Sequence, residues 1–453
     1  MRKNHKITSF YCLICRYYVY LSNDEESGDC MIAEFTVENF RSYKEKHTFS
    51  LISTKDKELS ESNTFKSGKK FHFLKSAVIY GANASGKSSF FDALIFFLKF
   101  SVTSGPRKQV GDPIETEPFA LSKQTEFAPS SFELVFLIRE GSEEIKYRYG
   151  LSVSKGQVEA EYLFAVKNIR EITFFTRNSQ GIAFTPYFKE GTRGKPSVRN
   201  NCTFLSVCAQ NNGEISAQII KYFRGIIVLS GLYDPIFPRN ENNQSYNKKK
   251  IVDFLRNADI QITDYKTENV SIYGTFPDSE LSAFLKNKFP DAQVERILFG
   301  HTLYNEKTPV GVIYLDATVE SAGTRKLFSY SGAILDALEE GTPLFIDEFD
   351  TTLHPLIIEG ILKLFNSPIA NPRNAQLVIS CHAVNIMTNK LLRRDQIWFC
   401  EKDKYGATAL YSLVDYNEPV RKDASYNKDY LQGKYGAIPY IKDILQQVDP
   451  SSP

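Results

Sequence analysis

Gly81-Ala82-Asn83-Ala84-Ser85-Gly86-Lys87-Ser88 follows directly on the apolar run Ala77-Val78-Ile79-Tyr80 and runs into Ser89-Phe90-Phe91-Asp92-Ala93-Leu94-Ile95-Phe96-Phe97-Leu98. The spacing is G-x-x-x-x-G-K-[ST], set between a strand pattern and a helix pattern. Glycines at both ends let the backbone wrap an anion so closely that successive N–H groups point inward at a helix dipole. Lys87 then faces the β and γ phosphates of ATP, and Ser88 faces Mg²⁺. The helix that follows is apolar on nearly every face, which predicts burial in its domain core.

A chain of 453 residues, 42% hydrophobic and 24% charged, has ordinary globular composition and material for two or three domains. The formal charge of +2 supplies no global attraction to nucleic acid or membrane, so DNA binding is not favoured. No apolar window is long enough to span a bilayer. The seven cysteines are widely scattered and odd in number, which favours reduced thiols and a cytoplasmic location. Cys12-Leu13-Ile14-Cys15 has metal-clip spacing without a second Cys or His pair nearby, so two packed thiols are the simpler reading.

The segment Phe10–Leu21 is apolar but interrupted by Arg16, and it leads into acidic Asp24-Glu25-Glu26. The alternation Met31-Ile32-Ala33-Glu34-Phe35-Thr36-Val37-Glu38-Asn39-Phe40 reads as a first strand, so residues 1–30 are expected to be an upstream extension. Residues 31–169 then carry the loop and helix, with further strands expected over Ser131–Ile138, Ile145–Val153 and Tyr162–Val166 as an antiparallel layer. Residues 170–300 change character. Helices are expected at Ile215–Phe223, Lys249–Ala258 and Ser279–Lys288, and the whole stretch reads as a mostly helical insertion or arm. The Lys248-Lys249-Lys250 run reads as a solvated helix start.

Residues 301–453 carry the remaining chemistry. Pro343-Leu344-Phe345-Ile346-Asp347-Glu348 is an apolar strand ending in two carboxylates, expected on the strand beside the phosphate loop. Asp347 would support the Mg²⁺ shell and Glu348 would polarise the attacking water. Such a string is common by itself and gains meaning only after a phosphate loop. Ser321-Ala322-Gly323-Thr324 precedes a helix expected over Arg325–Leu338, and a hydroxyl-bearing turn there offers donors to an anion. Because Lys87 serves phosphate from its own side, Ser321 and Gly323 fit best against the γ-phosphate held by a second copy; a simple N-cap is the alternative. The strand Gln376–Ser380 delivers Cys381 and His382, placing an imidazole where it could sense that phosphate.

In that order, these residues resemble the ABC-type ATPases of the SMC, RecF and RecN group over roughly residues 31–165 and 300–415. The signature departs from the usual Leu-Ser-Gly-Gly-Gln/Glu and reads Glu320-Ser321-Ala322-Gly323-Thr324; Gln124 is the nearest glutamine-loop candidate and is not assigned. A narrower likeness lies in Phe35–Ser42, Tyr147-Arg148-Tyr149-Gly150, Asp347-Glu348-Phe349-Asp350 with Leu353-His354-Pro355, Arg394–Phe399 and Gly433–Pro439. These stretches look like the AAA/ABC-hybrid ATPases of bacterial and prophage defence operons, among them the PARIS ATPase subunit (AriA) and the Rlo and Abi-type abortive-infection ATPases.

The resemblance implies an α/β fold: an ABC-type P-loop head with a mixed sheet, an antiparallel β layer and an inserted, mostly helical arm. It implies ATP and Mg²⁺ as cofactors. Gly81, Asn83, Ser85, Gly86, Lys87, Ser88 and Ser89 would line the nucleotide, Ser88 and Asp347 would serve the metal, and Lys87, Glu348 and His382 would serve catalysis. The implied partners are further copies of the chain, at least as paired heads, an effector nuclease of the Toprim kind, and a phage trigger protein such as a DNA mimic. A DNA-clamping repair ATPase is the alternative function; a binding scaffold whose ATP site fixes its shape is a further reading, and the preferred one combines slow ATP hydrolysis with that scaffold role.

Overall fold

The computed structural model describes residues 30–67, 71–140, 143–167, 170–230, 244–271, 293–416, 420–421 and 424–439. The upstream extension, Cys30 apart, lies outside the described residues, as do the Cys12/Cys15 pair and the helix expected over Ser279–Lys288. The described residues fall into two compact units, one drawn from residues 30–230, 337–350 and 358–439, the other from residues 244–336 and 351–357.

The first unit is built on a six-stranded sheet in the order β11 (Ile227–Ser230), β15 (Leu344–Asp347), β16 (Leu377–Ser380), β5 (Ser76–Tyr80), β17 (Ile397–Lys402) and β18 (Thr408–Ser412). The first five strands are parallel and β18 returns antiparallel to β17. Strands β5, β15 and β16 are buried at every position, as short apolar strands covered on both faces must be. The acidic strand does not lie beside the loop strand, contrary to the sequence expectation. β16 stands between them, pairing Val378 with Ala77 on one side and with Phe345 on the other.

An antiparallel sheet of seven strands forms a second layer, ordered β10 (Gly181–Phe184), β9 (Arg170–Asn178), β8 (Val158–Lys167), β7 (Glu143–Val153), β6 (Ser130–Glu140), β1 (Cys30–Glu38) and β2 (His47–Ser50). Its alternation is legible in β7, where Ile145, Tyr147, Tyr149, Leu151 and Val153 are buried while Lys146, Arg148 and Ser152 between them are only half-buried. Helix α1 (Lys87–Arg107) lies between the layers. Phe91 meets Phe345 of the parallel sheet at 6.4 Å, and on the other side Phe90 and Phe97 meet Phe35 at 5.7 and 5.8 Å. The helix is therefore buried on both faces, as its all-round apolar sequence requires.

Residues 170–230 differ from the helical arm expected of them. β9 and β10 extend the antiparallel sheet and β11 closes one side of the parallel one; between these come α2 (Phe204–Gln210) and α3 (Glu214–Gly225). The cause is aromatic: Phe174 and Phe175 need cover, which they find in Phe188, and Phe175 also meets Phe204 at 4.9 Å. Buried Glu161 on β8 pins the start of α2 by accepting the Phe204 and Leu205 N–H groups at 2.6 and 3.0 Å.

The second unit contains α4 (Gln244–Asn257) and a three-stranded antiparallel sheet of β12 (Asp264–Ser271), β13 (Gln293–Asn305) and β14 (Thr308–Asp316). Phe328, from the opening turns of α5 (Ala322–Glu340), packs edge-on against Tyr265 and Phe299 at 5.0 and 4.8 Å. Lys248 pairs with Asp264 at 2.6 Å, so this lysine of the basic run is committed within the unit.

Phe97 is fully buried and its ring meets Phe35, Phe132, Tyr149 and Phe223. Phe97→Ala is expected to cost about 3–5 kcal/mol, read as a lowered urea midpoint by circular dichroism, whereas Phe127→Ala on the exposed loop should leave the midpoint unchanged.

Candidate nucleotide-binding site

The loop Gly81–Ser88 leaves the carboxyl end of β5 and enters α1. Gly86 takes φ +108°, and a Cβ there would sit 2.2 Å from the Thr408 hydroxyl and 2.7 Å from that of Ser42. At Gly81 a Cβ would stand 2.4 Å from the Cys400 carbonyl oxygen. Both glycines are thus demanded by close approach, at opposite ends of the loop. The Thr408 hydroxyl donates to the Ser85 carbonyl at 2.8 Å and lies 2.8 Å from the Ser42 hydroxyl, so the β17–β18 hairpin and the β1–β2 turn brace the loop from behind.

No side chain caps the first turn of α1, which leaves its N–H groups open to an anion. The Ser85 hydroxyl is buried and has no hydrogen-bond partner. An orphaned buried hydroxyl beside uncapped helix donors suits a phosphate oxygen, so the loop fits the group its spacing predicts. Ser88 and Ser89 are half-buried in the first turn and Asn83 is exposed at the loop tip. Lys87 is 5% exposed, and its ammonium donates to the Gly81 and Ala82 carbonyls at 2.8 and 3.0 Å. Burial pulls its pKa down, while Cys400, Asp347, Glu348 and Asp350 act in the opposite direction.

Those three carboxylates reach Lys87 because β15 ends beside β16. Asp347 is buried, and its Oδ1 accepts from the Ser380 hydroxyl at 2.5 Å. The same hydroxyl accepts the Glu348 N–H at 2.7 Å, and the Ser380 carbonyl accepts the Phe349 N–H at 3.0 Å. Glu348 has φ +50°, a left-handed backbone that costs a residue with a Cβ about 1–2 kcal/mol. Strain of this kind collects at functional sites. Asp350 accepts the backbone N–H of His382 at 2.8 Å, tying the acidic turn to the end of β16. Partial desolvation, then the Lys87 ammonium, hold the His382 imidazole below its ordinary 6.5, with Asp350 and Asp347 pulling upward. Loop, paired carboxylates and histidine therefore converge at one edge of the parallel sheet.

Ser321 and Gly323 belong to the other unit. Ser321 accepts the Thr324 N–H at 3.1 Å, an N-cap for α5, and a Cβ on Gly323 would stand 2.8 Å from the Thr352 carbonyl. Thr352 itself takes φ +71°. The capping alternative is thus realised in the single chain. Gln124 is exposed in the loop before β6.

Sequence reasoning passed over Ser380, Thr408 and Ser42. Only Ser380 carried a signal, as a hydroxyl ending an otherwise apolar strand two positions before the histidine.

The profile of the family described as "AAA domain, putative AbiEii toxin, Type IV TA system" matches residues 76–199 and 237–388. The chain belongs to this family. It is accordingly a member of an ATPase family, and the matched segments contain the loop, the paired carboxylates and His382. Among solved structures, an SMC head bound to the C-terminal winged-helix domain of ScpA is similar at 13% identity and a TM-score of 0.44, over 84% of this chain and 97% of that one. No curated protein matches. Among the described residues no helix is long and apolar enough to cross a membrane, and Cys202, Cys208, Cys381 and Cys400 are free thiols.

Gly86→Ala should weaken ATP binding at least roughly 10-fold, measured by calorimetric titration. The His382 imidazole should titrate below 6.5 by NMR, and Lys87→Met should move it upward, because removing a neighbouring cation favours the protonated ring.

Proposed function

We propose that the chain is a slow ATP hydrolase that holds nucleotide between paired copies and uses that state to retain, then release, a partner protein. The observation carrying the reading is the convergence of Lys87 with Asp347, Glu348 and Asp350 beside a glycine-bracketed loop at the start of a buried helix. Gly81, Asn83, Ser85, Gly86, Lys87, Ser88 and Ser89 would hold the triphosphate, with Ser88 and Asp347 holding Mg²⁺. When bound, the metal would neutralise part of the charge on the phosphates. Glu348 orients and polarises the attacking water, and Lys87 offsets charge developing on the phosphates.

His382, kept neutral near pH 7, can accept or donate one hydrogen bond and so registers whether a γ-phosphate is present. Ser321 and Gly323 would complete the site from the second copy, where the exposed Ser321 hydroxyl, besides capping α5, can offer a donor. Nucleotide would then join the copies, and hydrolysis would loosen them.

The biological setting we infer is an anti-phage, abortive-infection operon of the PARIS kind. There the oligomer would sequester an effector nuclease of the Toprim kind and release it when a phage protein such as a DNA mimic is sensed. The family description, naming a toxin of a toxin–antitoxin system, supports placing the protein in an operon of this class.

Lys87→Ala should abolish ATP binding. Glu348→Gln should bind ATP as the unaltered protein does, lose at least roughly 100-fold in turnover, and accumulate as a larger, nucleotide-bound species by light scattering. Undiminished turnover in Glu348→Gln removes that residue from catalysis. Hydrolysis strongly stimulated by duplex DNA would favour a clamp instead.

A further inference from the structure

The Ser380 hydroxyl lies outside every role assigned above, yet it bonds both the Asp347 carboxylate and the Glu348 backbone. It is fully buried, at the carboxyl end of β16, the strand inserted between the loop strand and the acidic strand. It carries a single proton, directed at Asp347 Oδ1 at 2.5 Å, and its lone pairs receive the Glu348 N–H at 2.7 Å. The first bond restrains the rotation of the Asp347 carboxylate. The second holds Glu348 in its left-handed backbone, a conformation a residue with a Cβ would otherwise leave. One side chain therefore holds the Asp347 carboxylate and the Glu348 backbone together.

We propose that Ser380 is a positioning residue that orients Asp347 toward Mg²⁺ and Glu348 toward the attacking water through this two-way hydrogen bond. The inference rests on the nucleotide-site reading and deepens it. A hydroxyl in this place couples metal to water, since it senses the Asp347 carboxylate on one side and the Glu348 peptide on the other. Asp350 holds the His382 N–H rather than either carboxylate, and the Ser380 carbonyl, committed to the Phe349 N–H, cannot donate.

The test compares the full chain with Ser380→Ala in two quantities: affinity for a non-hydrolysable ATP analogue with and without Mg²⁺, and turnover of ATP. Ser380→Ala is expected to bind the analogue in EDTA as the unaltered protein does. It should lose most of the affinity gained on adding Mg²⁺, and its kcat should fall roughly 10- to 100-fold with the thermal midpoint little changed. A role limited to packing would lower the midpoint and leave the Mg²⁺-dependent gain intact. Ser380→Cys, which keeps the volume with a weaker donor, reads the same quantities if the alanine variant does not fold.

A folded variant that keeps the full Mg²⁺ gain and a kcat within about twofold of the unaltered protein overturns the proposal. An unaltered protein that binds no analogue at all overturns the nucleotide-site reading instead, so the two failures are told apart.

Discussion

One buried ammonium facing three carboxylates sets the terms for the rest of the molecule. Lys87 is 5% exposed and donates to the Gly81 and Ala82 carbonyls, while Asp347, Glu348 and Asp350 lie within electrostatic reach. The edge of the sheet is thus short of positive charge before any ligand arrives. A triphosphate entering it would bring further negative charge beside Asp347, Glu348 and Asp350, which a divalent cation would offset. Burial heightens both sides of that balance, because the interior screens charge less than water does.

The parallel sheet makes this arrangement durable. Strand β16 separates the loop strand from the acidic strand and gives each a hydrogen-bonded neighbour of fixed register. Helix α1 is clamped between two layers by aromatic contacts on both faces, so the loop at its start cannot drift. The hydroxyls of Thr408 and Ser42 close the loop from behind. Rigidity at the scaffold allows strain at the centre, where Glu348 bears it.

What could be read in the sequence was what is local. The loop declared itself because its glycines, lysine and serine are contiguous, and β7 because its alternation is clean from Ile145 to Val153. The position of β16 was not legible, since strand order depends on pairings between residues separated by long stretches of chain, Val378 with Ala77 among them. Residues 170–184 were misread as the start of a helical arm. In β9 exposed and buried positions do not alternate strictly, Phe174 and Phe175 being buried side by side, so the period that identifies a strand is blurred. The hydroxyls of Ser380, Thr408 and Ser42 gain meaning only when distant segments meet. Ser321 was legible as a helix opening, and the N-cap it makes in the single chain is compatible with a later contact to a second copy.

The account turns on nucleotide buried where two copies meet, each supplying groups the other lacks. The most direct measurement is a cryo-EM structure of Glu348→Gln with ATP and Mg²⁺. The account predicts paired copies in which each γ-phosphate lies within hydrogen-bond reach of Lys87 from one chain and of Ser321 and Gly323 from the other. A map in which nucleotide occupies the Gly81–Ser88 loop while residues 321–324 face away from every phosphate, in their own copy and in all neighbours, would contradict it.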